Sequence, residues 1–216
     1  MIWIKRHDFI FVKIPKNASE AASLYLQQNV SCCEDVFTLD NGFQQNIFPP
    51  HASHCHMDIK YMLDNHLCTN TNTFVGVIRD PHERLLSLYL YRCRQNRYGV
   101  KATPEDFRKR AYNGFIVDHP WQMQLQSTFL TGALHKEYWC YDNIHYHVSL
   151  LPRRFNFVER HPFQTVNKSV PNIDTKSLVD TFYDQHTRSA VDKYWADDID
   201  LYHEVKNAET GLDTTI

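Results

Sequence analysis

Two nearly uninterrupted apolar runs, each followed by a cationic residue and a proline, constrain the fold of this chain most. Residues 9–14 are Phe-Ile-Phe-Val-Lys-Ile, and residues 73–78 are Thr-Phe-Val-Gly-Val-Ile. Runs without regular polar alternation are typical of strands that are buried on both faces, as in the parallel sheets of α/β proteins. Because Pro15 and Pro81 follow closely, each strand is predicted to end in a short loop.

Helical spacing begins after each loop. Residues 18–25 place apolar side chains on one helix face, and residues 85–91 do the same after Pro81 near a first turn. A strand, a loop and a helix therefore recur, which predicts an α/β fold with a mainly parallel central sheet flanked by helices. Ligands of such sheets bind beyond the carboxyl ends of the strands.

The other elements follow from weaker patterns. We predict a hairpin of residues 2–4 with the run 9–14, a surface loop over 31–50, helices over 104–111, 121–130 and 191–205, and a third core strand over 155–158.

Composition narrows the class of protein. A chain of 216 residues with 43% hydrophobic residues is predicted to form one domain over residues 1–216. Its formal net charge of -2 argues against a nucleic-acid partner. We find no apolar run of the roughly 20 residues that span a bilayer, no signal peptide and no CxxC pair, so we expect a cytoplasmic protein without a membrane partner.

The first loop, residues 13–19, has the chemistry of an anion site. Lys16 offers an ammonium group, and the amides of Asn17, Ala18 and Ser19 lie where a helix begins and attracts negative charge. The segment is not a GxxxxGK[ST] loop, which disfavours an ordinary nucleoside triphosphatase. A capped helix with a solvated Lys16 is equally compatible with the local pattern.

The second loop begins with Arg79, whose planar guanidinium matches a phosphate group. Ser87 follows eight residues later, about two helical turns, where its hydroxyl could reach the same anion. Two structural alternatives stay open. Arg84 could pair with Asp80 or Glu83, and Ser87 could bond its own helix backbone.

These segments resemble the carbohydrate sulfotransferases related to the heparan sulfate and chondroitin enzymes and their short bacterial counterparts. Residues 9–19 are similar to the 5′-phosphosulfate loop of that family, and residues 79–89 to its RxPxxRxxSxY segment for the 3′-phosphate. Residues 51–53 (His-Ala-Ser), 167–169 (Asn-Lys-Ser) and 197–201 resemble further family elements. The resemblance implies a P-loop-like architecture and the donor 3′-phosphoadenosine 5′-phosphosulfate.

The resemblance also implies the site residues. The catalytic residues would be Lys16, which would stabilise the leaving oxygen, and His51, which would act as general base. The residues that would bind the donor are Lys13, Lys16, Asn17, Ala18, Ser19, Arg79, Ser87, Lys168 and Ser169. Glu20 departs from the family pattern, which usually has Thr or Ser beside the phosphates, and its carboxylate would repel the donor there unless it points away or caps the helix.

No metal is expected. A short cluster of histidines, His51, His54 and His56, has the close spacing of metal ligands, but no second group of matching ligands accompanies it. Local chemistry alone also does not show which of the three would be the general base.

The acceptor is predicted to be a hydroxyl of a glycan or related molecule. An anionic glycan would suit the basic residues that follow Arg79, although a solvated helix face explains them as well. These residues are Arg92, Arg94, Arg97, Lys101, Arg108, Lys109 and Arg110. Two other functions remain open: an ATP-dependent phosphotransferase, and a non-catalytic module that binds glycans or anions.

Overall fold

The computed structural model describes residues 2–4, 7–30, 36–38, 58–96, 99, 101–113, 124–164 and 175–210. Its strands are β1 (Ile2–Ile4), β2 (Phe9–Val12), β3 (Val36–Thr38), β4 (Thr73–Ile78) and β5 (His135–Cys140). Its α-helices are α1 (Ser19–Val30), α2 (Ile59–Asp64), α3 (Pro81–Arg94), α4 (Pro104–Asn113), α5 (Ile144–Phe155), α6 (Thr175–Phe182), α7 (Gln185–Tyr194) and α8 (Ala196–Glu209).

The strands form one sheet in the order β3, β1, β2, β4, β5. β1 is antiparallel to both of its neighbours, whereas β2 pairs in parallel with β4, and β4 with β5. Four strands therefore run in one direction and only β1 runs in the other. The predicted α/β fold with a mainly parallel sheet is confirmed, as is the hairpin of β1 and β2. The single domain over residues 1–216 stays a prediction.

Both faces of the central strands are buried. Ile10 and Val12 of β2 pack on the side of α2 and α8, and Phe9 and Phe11 pack on the side of α1 and α5. Successive side chains of β2 point to opposite faces of the sheet, and helices cover both faces. Residues 9–14 therefore do not alternate between polar and apolar side chains. A separate apolar cluster joins α3, α4, α6 and α7.

Gly76 in the middle of β4 permits a close approach to the sheet. A Cβ atom at this position would lie 2.6 Å from Leu130 Cδ1 and 3.0 Å from Ile14 Cδ1. Leu130 ends a 3-10 helix, Gln126–Leu130, which therefore packs directly on the strand. This contact places the start of the 3-10 helix beside the loops that follow β2 and β4.

The predicted third core strand over residues 155–158 is wrong. Phe155 ends α5, and Asn156 closes that helix in a left-handed conformation with φ of 51°. The strand that completes the parallel part of the sheet is β5, whose first three residues are His-Lys-Glu. β5 is an edge strand, so its sequence lacks the apolar run that marks β2 and β4.

Two predicted helices differ in detail. Of residues 121–130, only 124–130 are described, and residues 126–130 form the 3-10 helix mentioned above. The predicted C-terminal helix is two helices, α7 and α8, because the chain turns at the buried Trp195. The predicted helix after Pro104 is confirmed.

Candidate functional site

The loop after β2 is held in an unusual backbone conformation at the carboxyl end of the sheet. Lys16 and Ala18 both have positive φ, 68° and 56°. Such a conformation costs a non-glycine residue about 1–2 kcal/mol, so other contacts must hold the loop in place. The loop leads directly into α1, whose first amides have no partner within the helix and face anions favourably.

Asn17 is one of the residues that hold this loop. Its side chain is fully buried, and its Nδ2 donates to the Val77 carbonyl at 2.6 Å and to Gln126 Oε1. The side chain thus ties the first loop to β4 and to the 3-10 helix. Because the Asn17 side-chain amide is already engaged, only the backbone N–H of Asn17 could bind the donor as predicted.

Lys16 lies in a strongly cationic environment. Its ammonium nitrogen is 4.1 Å from the centre of the Tyr91 ring. The pKa of Lys16 is lowered to about 7, mainly by burial and then by the nearby charges of Arg79, Arg94 and Arg92, while Glu20 opposes the shift. Each of these cations disfavours the charged form of its neighbours, and a bound polyanion would stabilise the charged form of all of them.

Arg79 joins the two loops. Its Nη1 donates to the Lys16 carbonyl at 3.1 Å, and its Nε and Nη2 donate to Glu83 Oε2 at 3.3 and 3.2 Å. The guanidinium carbon also lies 4.1 Å from the centre of the Tyr141 ring, which follows β5. Within the part of the chain that the structure describes, these contacts use three of the five N–H donors of the guanidinium, which leaves two that a phosphate group can accept from.

The alternative pairing suggested for Arg84 is wrong. Arg84 is buried and faces Asp198 of α8, with Nη1 3.6 Å from Oδ2. Its Nε donates to the Pro15 carbonyl at 3.2 Å, and its Nη1 donates to the Gln124 carbonyl at 2.9 Å. Arg79, and not Arg84, takes Glu83 as its partner.

Gln126 connects both loops and was not predicted. Its Oε1 accepts from the Arg79 amide at 2.9 Å as well as from Asn17, and its Nε2 donates to the Arg79 carbonyl at 2.8 Å. Its own amide donates to both carboxylate oxygens of Asp198 at 2.8 Å. Asp198 is fully buried, and burial raises the pKa of its carboxyl.

The remaining predicted residues differ in how much the structure says of them. Lys13 is buried, and its ammonium nitrogen lies 3.1 Å from Glu20 Oε1. Ser19 is the buried first residue of α1, and Ser87 is buried on α3. The residues of the prediction that lie outside the described part of the chain are His51, His54, His56, Arg97, Lys168 and Ser169.

Among the described residues, no group of three or more histidine, cysteine, aspartate or glutamate side chains is arranged to hold a metal ion. Within the same part of the chain, none of the helices has the length and apolar character that crossing a membrane requires.

The fold and the site together define an α/β protein with a cationic face at the carboxyl ends of β2 and β4. A sequence model of the Sulfotransferase family matches residues 1–203. Since this match covers most of the chain, the protein belongs to the sulfotransferase family. Searches among curated proteins and among solved structures found no match.

Proposed function

We propose that the protein transfers the sulfuryl group of 3′-phosphoadenosine 5′-phosphosulfate to a hydroxyl group of a glycan or related acceptor. The observation that carries this proposal is the convergence of cations at the ends of two adjacent parallel strands. Lys13 and Lys16 follow β2, Arg79 follows β4, and Arg92 and Arg94 act on Lys16 from the last turn of α3. A donor with phosphate groups at both ends of its ribose would meet charge from both loops.

The two loops suit the two ends of this donor. The amides at the start of α1 and the ammonium of Lys16 are suited to the 5′-phosphosulfate. The remaining N–H donors of Arg79, together with the buried Ser87 on the helix α3 that follows, are suited to the 3′-phosphate. Because ATP lacks a 3′-phosphate, this division favours a sulfuryl donor over the phosphotransferase alternative.

The bound donor supplies an activated sulfuryl group on a phosphate leaving group. During transfer, negative charge grows on the departing oxygen, and the protonated Lys16 would stabilise it there. Tyr91 holds the ammonium group by its ring face, and Arg79 fixes the Lys16 carbonyl, so Lys16 is oriented before the donor binds. His51 is proposed as the base that takes the proton from the acceptor hydroxyl, on the family resemblance alone.

The resemblance to heparan and chondroitin sulfotransferases also suggests an anionic glycan acceptor. Several of the described basic residues already have partners within the protein, which makes them less suited to bind such an acceptor. Arg108 donates to the Phe182 and Thr181 carbonyls, and Arg110 pairs with Asp106 at 2.8 Å. Arg92 and Arg94 belong to the cations around Lys16. Lys101 and Lys109, both exposed, suit an acceptor better. A cytoplasmic location stays a prediction of the sequence alone.

Nucleotide selectivity tests the donor. Adenosine 3′,5′-bisphosphate, the product of the donor, should raise the melting temperature well above the effect of AMP or of ATP with Mg²⁺ at equal concentration. Arg79→Lys should remove this selectivity, because a lysine cannot keep Glu83 and a phosphate at once. Equal stabilisation by all three nucleotides in the wild type would refute the donor assignment.

Turnover tests catalysis. Transfer of labelled sulfate to a panel of glycans should be abolished in Lys16→Ala and in His51→Ala. Lys109→Ala, which changes an exposed residue outside the donor site, should keep the wild-type affinity for the bisphosphate. Selective bisphosphate binding without any transfer would instead identify a non-catalytic module.

A further inference from the structure

Two cations of the site each have a carboxylate partner in the first turn of the helix that follows. Lys13 pairs with Glu20 of α1 at 3.1 Å, and Arg79 pairs with Glu83 of α3 at 3.2 Å. Both pairs therefore place a negative charge where the helix N-terminus and the loop would hold a phosphate group. The two carboxylates differ in how easily they can leave.

Glu83 is fixed. Its side chain is 4% exposed, and that of Arg79 is 5% exposed. A carboxylate buried beside one guanidinium cannot move away without leaving an unpaired charge inside the protein. Glu83 therefore sets the orientation of Arg79 whether or not a ligand is bound.

Glu20 can be displaced. Its side chain is 47% exposed, whereas that of Lys13 is only 6% exposed. The ammonium group of Lys13 is thus held at the protein interior while its partner already contacts water. An ion pair with one half-exposed partner is weak, because water replaces the contact at little cost. Rotation of Glu20 into solvent would leave Lys13 in place for another anion.

The negative charge of Glu20 acts on a second lysine as well as on Lys13. Its charge also acts on the ammonium group of Lys16, although burial and three arginines dominate there. An anion that approaches Lys13 and Lys16 must therefore enter a field that Glu20 partly cancels.

We propose that Glu20 is an internal counter-anion of Lys13 that the phosphosulfate end of the donor displaces, and that it thereby weakens the binding of both donor and product. This inference rests on the proposed sulfotransferase function. Glu20 keeps the buried Lys13 neutralised and oriented in the free protein. It then competes for the same ammonium group, which speeds release of the bisphosphate product.

Affinity measurements on Glu20→Gln test the proposal, because glutamine keeps the shape and removes the charge. Calorimetric titration with adenosine 3′,5′-bisphosphate should show binding about tenfold tighter than in the wild type, the size expected for one half-screened charge about 6 Å from a phosphate. The matched control is Glu105→Gln, an exposed second residue of α4 that is remote in sequence from both loops, and it should change nothing. In a Lys13→Met background, Glu20→Gln should tighten binding clearly less than tenfold.

Two results would overturn the proposal. Binding by Glu20→Gln no tighter than by the wild type would show that Glu20 does not compete with the ligand. A loss of turnover of about 100-fold or more at unchanged bisphosphate affinity would make Glu20 a proton acceptor instead.

Inorganic pyrophosphate separates this inference from the proposed function. It lacks the adenosine and the 3′-phosphate but contains linked anionic groups that Lys13 and Lys16 would bind. If the wild type fails to prefer the bisphosphate to AMP, the donor assignment fails, yet tighter pyrophosphate binding by Glu20→Gln would still support the counter-anion. If the preference holds and Glu20→Gln binds neither ligand more tightly, only the inference fails.

Discussion

Binding of adenosine 3′,5′-bisphosphate should draw a proton onto Lys16. Since the pKa of Lys16 lies at about 7 in the ligand-free protein, the side chain is about half protonated at pH 7 and about one-tenth protonated at pH 8. A phosphate group beside the ammonium favours its charged form and typically shifts a pKa by 1–3 units. The bound protein should therefore carry the proton that the free protein lacks.

The difference between the free and the bound pKa of Lys16 determines how many protons are taken up on binding and how affinity depends on pH. With a bound pKa near 9 or above, each binding event takes up about 0.5 proton at pH 7 and about 0.8 at pH 8. The protonated form binds the anion, so affinity is greatest below pH 7 and is lost as the pH rises through 7 toward the bound pKa. Between pH 7 and pH 8, the affinity should fall about fivefold. The phosphate groups add little above pH 7, because their second pKa is near 6.

Calorimetric titration in buffers with different ionisation enthalpies measures the proton uptake. Lys16→Met should bind more weakly and take up much less than half of the wild-type amount at pH 8. Lys16→Arg should bind without uptake, because a guanidinium stays charged throughout this range. The reasoning is refuted if the wild type takes up no proton at pH 8, or if Lys16→Met takes up as much as the wild type.

Two further predictions concern the support of the site. Gly76→Ala should lower the free energy of unfolding by about 1–3 kcal/mol in urea titration, since its new Cβ would press on Leu130 and Ile14; wild-type stability would contradict the packing described for β4. Asp198→Ala should cost about 3–5 kcal/mol, because it removes the buried carboxylate that faces the Arg84 guanidinium and accepts from the Gln126 amide; a loss below about 1 kcal/mol would refute that role.

The central strands could be predicted from the sequence because both of their faces are buried. β2 and β4 are sandwiched between helical layers, so their residues form apolar runs, and the polar residues that follow them lie at the carboxyl edge. β5 was missed because an edge strand tolerates His-Lys-Glu at its start. Residues 155–158 were assigned wrongly because a short apolar run at a helix end has the same composition as a short strand.

From the sequence, site residues could be predicted only where they directly follow a strand. Lys16 and Arg79 follow β2 and β4 directly, and their closeness follows from parallel pairing. Gln126 and Asp198 reach the same place from distant parts of the chain, through contacts that no local pattern records. The Glu20 anomaly was visible in the sequence, but its partner Lys13 became known only from the geometry.

The bond between Gln126 and Asp198 has a consequence for the order in which the chain acquires its activity. These residues are 72 positions apart, and Glu209 of the same helix accepts from the Cys140 amide 69 positions away. On a ribosome, residues 13–94 would emerge long before α8 exists to anchor Gln126 between the two loops. A nascent chain that displays both loops should therefore not retain the nucleotide tightly until α8 has been synthesised and has docked.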